Sequence, residues 1–105
     1  MAEVRWTLAA LDDLFRIGDH IAKDSPRYAS RHVEKLRSST DILENFPGGS
    51  RMIPELEDPA LRELIVGQYR LLFLLEKNVA YMLAVRHAKR RFPYRLLNVR
   101  KGRIS

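Results

Sequence analysis

The sequence predicts an α+β fold: an N-terminal strand, then an antiparallel helical hairpin packed on a three- to four-stranded antiparallel sheet, then a basic C-terminal tail. Three observations carry this reading. Two stretches between residues 7 and 43 repeat apolar residues at helical spacing. From 61 to 87 the apolar residues fall into three short runs rich in aliphatic and aromatic side chains. Those runs are separated by the two-residue breaks Gly67-Gln68 and Lys77-Asn78, the length of a tight hairpin turn.

Each element follows in order. "EVRW" (3–6) alternates briefly and reads as a strand. Thr7 suits an N-cap, and Leu11, Leu14, Phe15, Ile21 and Ala22 recur after it on one helical face. Ser25 and Pro26 then open a second helix, whose stripe is Ala29, Val33, Leu36, Thr40 and Leu43. So short a connection makes an antiparallel hairpin. Residues 47–60 hold three of the five prolines and two of the five glycines and form a loop. "LRELIV", "YRLLFLLE" and "VAYMLAVRH" are the sheet strands. The domain is expected over 1–93 and the tail over 94–105, with strand, short helix or disorder all open for the tail.

Pairing the strands through those turns places Glu63, Ile65, Arg70, Leu72, Leu74, Val79, Tyr81, Leu83, Val85 and His87 on one face. Leu64, Val66, Tyr69, Leu71, Phe73, Leu75, Ala80, Met82, Ala84 and Arg86 form the other. Both faces are apolar, whereas a sheet with one wet face alternates. Two helices cover one face only. The second calls for the tail, a second copy or another protein, and Ile65, Leu72, Leu74, Tyr81 and Leu83 are the residues a partner is expected to meet.

Charge narrows the partners. Residues 1–76 carry ten Lys and Arg against thirteen Asp and Glu, while 77–105 carry nine Lys and Arg and no acid. Basicity concentrated at one end suggests an anionic partner. The expected contact residues are Arg86, Lys89, Arg90, Arg91, Arg95, Arg100, Lys101 and Arg103. There is no cysteine, which excludes thiolate nucleophiles and thiolate zinc sites and favours the cytoplasm. No apolar run approaches the ~20 residues of a membrane helix, and MAEVRW is not read as a signal peptide. His20, His32 and His87 fall on three different elements without ligand spacing, so neither metal nor cofactor is expected.

One constellation has catalytic residue types. Arg70 and His87, with Glu55 or Glu63 near, contain the base, acid and cation that metal-free RNA cleavage requires. On the register above, Arg70 and His87 share a face and an end of adjacent strands. The preferred reading is structural: Arg70 pairs with Glu63, and His87 ends its strand.

The order of stretches resembles a known family. A Trp before a helix, "DDLFRIGDHIAKDSPRYA", "LENFPGGSRMIPEL", "LRELIVGQYRLLF" and "VRHAKRRFP" closely resemble the ParE toxins of the RelE/ParE superfamily, over about residues 5–93. The resemblance implies the toxin half of a type II toxin–antitoxin (plasmid stabilisation) module, held in a hetero-oligomer by a cognate antitoxin whose C-terminal segment wraps the toxin. In the ParE-like branch it implies poisoning of DNA gyrase by binding, with no catalytic residues of the toxin's own. In the RelE- and YoeB-like branch it implies ribosome-dependent mRNA cleavage by an acid, a strand arginine and a His-Tyr pair. Glu55 and Arg70 fall where the first two would, but His87 is followed by Ala88 and Lys89, and lysine-rich first strands are absent. The expectation is therefore a gyrase inhibitor, with the ribonuclease (Glu55, Arg70, His87) as the alternative and a binding module without toxicity as a third.

Overall fold

A computed structural model describes residues 2–104. Its element order is β1 (Glu3–Trp6), α1 (Leu8–Ala22), α2 (Pro26–Ser38), β2 (Arg51–Met52), β3 (Leu61–Val66), β4 (Tyr69–Glu76), β5 (Val79–His87) and α3 (Tyr94–Gly102), with 3₁₀ turns over Ser39–Glu44 and Pro47–Gly49. The predicted caps are in place: the Thr7 hydroxyl accepts from the Ala10 N–H, and that of Ser25 from the Tyr28 N–H. The second apolar stripe outlasts its helix. Thr40 and Leu43 are buried on the 3₁₀ turn, not on a continuous α2.

The sheet has five strands in the order β1-β5-β4-β3-β2, more than the three or four expected. It is not wholly antiparallel. β1 runs parallel to β5, Glu3 opposite Val79 and Trp6 opposite Met82. Both two-residue turns form. Gly67 takes φ +58°, and Lys77 and Asn78 are both left-handed, at 49° and 64°. Thr7 ties the end of β1 to the sheet, donating its N–H and its hydroxyl to the Met82 carbonyl at 3.3 and 2.7 Å.

The register of β4 and β5 shifts between Leu72 and Phe73: below it Phe73 faces Met82, above it Leu72 faces Ala84. Leu83 is the extra residue of a β-bulge, and a bulge reverses the phase of everything beyond it. Val85 consequently packs in the core under the helices with Leu71, Phe73 and Met82, while Leu83 and Ala84 point to the opposite face with Leu72 and Leu74. The expected faces hold up to Leu83 and are exchanged from Ala84 onward.

The second face is not bare. α3 lays Leu97 on it, the 53–60 segment adds Ile53, Leu56 and Ala60, and Phe92 and Ile104 close the margin. Of the residues expected to await a partner, Leu72, Leu74 and Leu83 are buried inside this second core, Tyr81 is half-buried and Ile65 is exposed. The chain's own C-terminal segment, one of the three covers considered, does the covering.

Candidate functional site

Beyond Met82 the outer edge of β5 has no strand beside it, since β1 ends at Trp6. Side chains satisfy its backbone instead. The Val85 N–H donates to Asp13 of α1 at 3.1 Å, and the Leu83 carbonyl accepts from Arg100 of α3 at 2.9 Å. Arg100 also donates to both Asp13 oxygens, at 2.6 and 3.1 Å. These three groups clasp α1, β5 and α3 together. Arg100 is thus occupied internally, as is Lys101, whose ammonium lies 2.9 Å from Asp58. Lys89, Arg90, Arg91, Arg95 and Arg103 are exposed.

On the second face, Glu63 is the hub of an ionic network. Its side chain is fully buried and accepts from Arg51 Nε at 2.5 Å and Arg70 Nε at 2.6 Å. The remaining Arg70 nitrogens hold Glu55 as a fork, both at 2.7 Å. The ring of Phe92 lies 5.1 Å from the guanidinium. Glu55 above all, and then Glu63, raise the Arg70 pKa, while the Arg70 hydrogen bonds hold the Glu55 carboxyl below its ordinary range. Each Arg70 nitrogen donates one hydrogen bond to a carboxylate. The sequence suggested the Arg70–Glu63 pair; nothing in it marked Glu63 as the one fully buried acid.

His87 lies at the same end of the sheet as Arg70 but on the opposite face, because the bulge intervenes. Its ring meets Tyr69 edge-on at 5.3 Å, and Tyr69 in turn meets His32 of α2 at 5.2 Å. The Lys89 N–H donates to His87 Nδ1 at 3.1 Å, which places the ring proton on Nε2, facing the side-chain Oε1 of Gln68 at 3.1 Å. Glu55 and Arg70 therefore come together, and His87 does not join them. The expectation of a shared face is corrected: it assumed an unbroken β4–β5 register.

Around His87, at the open edge of β5, a cleft of about 540 Å³ is lined by Asp13, Arg16, Ile17, His20, Tyr69, Val85, Arg86, His87 and Arg90. A second depression beyond Tyr69 is bordered by Tyr28, Arg31, His32 and Lys35. Among the described residues there is no group of three His, Asp or Glu placed to hold a metal ion. No helix among them is long and apolar enough to cross a membrane.

Residues 4–92 match the family model of the ParE toxin of type II toxin–antitoxin systems, parDE. The chain belongs to the ParE toxin family. Toxin RelE2 of Caulobacter vibrioides is 35% identical over 91 residues, covering 86% of this chain and 99% of that one. The protein Y4kP of Sinorhizobium fredii is 33% identical over 92 residues, covering 86% and 92%. In solved structures the same fold occurs in the chromosomal ParDE system of P. aeruginosa, with TM-score 0.72, 22% identity, and 85% and 98% of the two chains covered. It occurs also in the RelBE2 toxin–antitoxin complex of Mycobacterium tuberculosis, with TM-score 0.53, 23% identity, and 82% and 96% covered. ParE membership fits the α+β class read from the hairpin and the three apolar runs.

Proposed function

We propose that this ParE-family chain is a toxin that acts by binding DNA gyrase and is neutralised by a cognate antitoxin, rather than by cutting RNA. The observation that carries the reading is the placement of Arg70 and His87 on opposite sheet faces. A phosphodiester held by Arg70 would have no imidazole within proton-transfer reach, and all three Arg70 nitrogens are already engaged by Glu55 and Glu63. The exposed cations Lys89, Arg90, Arg91, Arg95 and Arg103 offer a recognition surface for gyrase or its DNA. For the antitoxin, the outer groove of the helical hairpin offers apolar surface, with Phe15 57% exposed beside Gly18, Ala22 and Ala29.

The test is a supercoiling and cleavage assay with purified gyrase, run beside a ribosome-programmed mRNA cleavage assay. The expected result is lost supercoiling with accumulated cleaved DNA and intact mRNA, unchanged by His87→Ala and Glu55→Gln. Arg70 is not the residue to remove, since its loss strands the buried Glu63. Cut mRNA, abolished by those two substitutions, would establish the ribonuclease in its place.

A further inference from the structure

The cleft at the open edge of β5 has more positive charge than the protein itself answers. Arg86 lines it at the strand edge, its Nε buried and unpartnered and its Nη2 making one long contact, 3.5 Å to the Arg91 carbonyl. Arg90 stands beside it. Asp13 is the cleft's one acid, and both its oxygens are taken by Arg100 and the Val85 N–H. Arg16 contributes a guanidinium held by Asp12 in a pair whose side chains are 76% and 57% exposed, a contact weak enough to exchange. Burial, followed by the neighbouring Arg90, lowers the Arg86 pKa, with Asp13 opposing them. Flanking these cations are the Tyr69 and His87 rings, and the aromatic succession continues through His32 to Tyr28.

Cations beside aromatic rings are what a splayed nucleotide needs: charge for the phosphate and a ring for the base. We infer that this cleft seats a nucleotide of a single-stranded nucleic acid, with its phosphate between Arg86 and Arg90 and its base against Tyr69 and His87. The site lies across the sheet from Glu55 and Arg70. It does not depend on gyrase being the target: inhibition of gyrase by a chain that binds no oligonucleotide would overturn this inference alone.

Fluorescence anisotropy of the full chain tests it, using labelled DNA and RNA strands of about ten nucleotides, the matching DNA duplex, and an abasic strand of equal length. At least one of the single strands is expected to bind more tightly than the duplex, and a preference between DNA and RNA would name the sugar. Arg90→Gln, at an exposed position that cannot upset folding, should weaken binding about five-fold at 0.1 M salt and flatten the log–log salt dependence by about 0.7. Arg86→Gln should do the same. His87→Ala should weaken the intact strand and leave the abasic strand unchanged. Arg37→Gln, which removes an equal charge at an exposed position of α2 outside the cleft, should alter nothing. Absence of binding, preference for duplex, or equal losses from Arg90→Gln and Arg37→Gln would each overturn the assignment.

Discussion

Replacing Asp13 by asparagine keeps the shape of the clasp between α1, β5 and α3 and deletes its charge. The Asp13 and Arg100 side chains are 12% and 13% exposed, so the pair is largely out of water. The amide would retain one acceptor for the Val85 N–H and lose the fork to Arg100, whose guanidinium would be left with the Leu83 carbonyl alone. Breaking a fully buried pair costs about 3–5 kcal/mol, and an exposed pair contributes less than about 1 kcal/mol. At seven-eighths burial, about 2–3 kcal/mol is expected, a drop of roughly 10 °C or more in Tm for a domain of this size. Urea unfolding followed by the fluorescence of the single tryptophan, Trp6, measures it. A double-mutant cycle with Arg100→Met should return a coupling of at least about 1 kcal/mol. If Asp13→Asn stays within about 0.5 kcal/mol of the parent, the clasp is not a tertiary link, and Arg100 returns to the pool of cations free for a target.

Other perturbations have clear signs. Leu97→Ala, at a position 1% exposed in the second core, should cost about 2–4 kcal/mol by the same urea titration. In α1, a Cβ at Gly18 would lie 2.7 Å from a methyl of Val33, a stiff β-branched neighbour on α2. Gly18→Ala should therefore destabilise by about 1 kcal/mol, the overpacking exceeding the gain of about 1 kcal/mol in helix propensity; a stabilised variant would contradict the packing. His32 has a buried, unpartnered Nε2, and burial lowers its pKa from 6.5. The native state then binds that proton less readily than the unfolded chain, so the protein should lose stability as pH falls through 6.5. His32→Phe should show a smaller loss between about pH 7.5 and 5.5 by thermal melts; identical slopes would remove His32 from the account. Glu55 has the opposite sense. Its contribution is complete above the ordinary value of 4.5 and fades only as pH falls below that value, so Glu55→Gln should lose its effect in acid.

Much of this architecture is written in local pattern. Thr7 and Ser25-Pro26 mark the helix starts, and two-residue breaks mark both hairpins, because caps and turns depend on a few adjacent residues. The phase of β5 is different. "VAYMLAVRH" is apolar at nearly every position, since both of its faces are buried, and a pattern without alternation cannot reveal where a bulge inserts one residue. Leu83 therefore moved Val85 and His87 to the helix side without leaving a trace in the sequence, and the Arg70–His87 pairing failed with it. The parallel docking of β1 and the placement of α3 were equally hidden, because they rest on partners far along the chain: the Asp13–Arg100 contact spans 87 residues. Arg100 and Lys101 look like two more cations of a basic run, and only Asp13 and Asp58, supplied by distant elements, distinguish them from Lys89 and Arg90. The bare second face was the instructive error. The apolar count was right, and the cover came from Leu97, Phe92 and Ile104 of the segment whose charge drew attention first.

The position of β5 has a consequence for when this chain becomes a protein. Of the five strands described it is the last in the chain, yet it lies inside the sheet, with β4 on one side and β1 on the other, and α1 reaches it through Asp13. A nascent chain that has emerged only as far as residue 78 holds a first strand with nothing to pair and a helical hairpin with half a sheet beneath it. Even with β5 out, the second core waits for α3. The fold is thus completed only once β5 and α3 have both emerged, and shorter nascent lengths hold neither core in full. Arrested nascent chains of increasing length should resist protease only once α3 has cleared the exit tunnel.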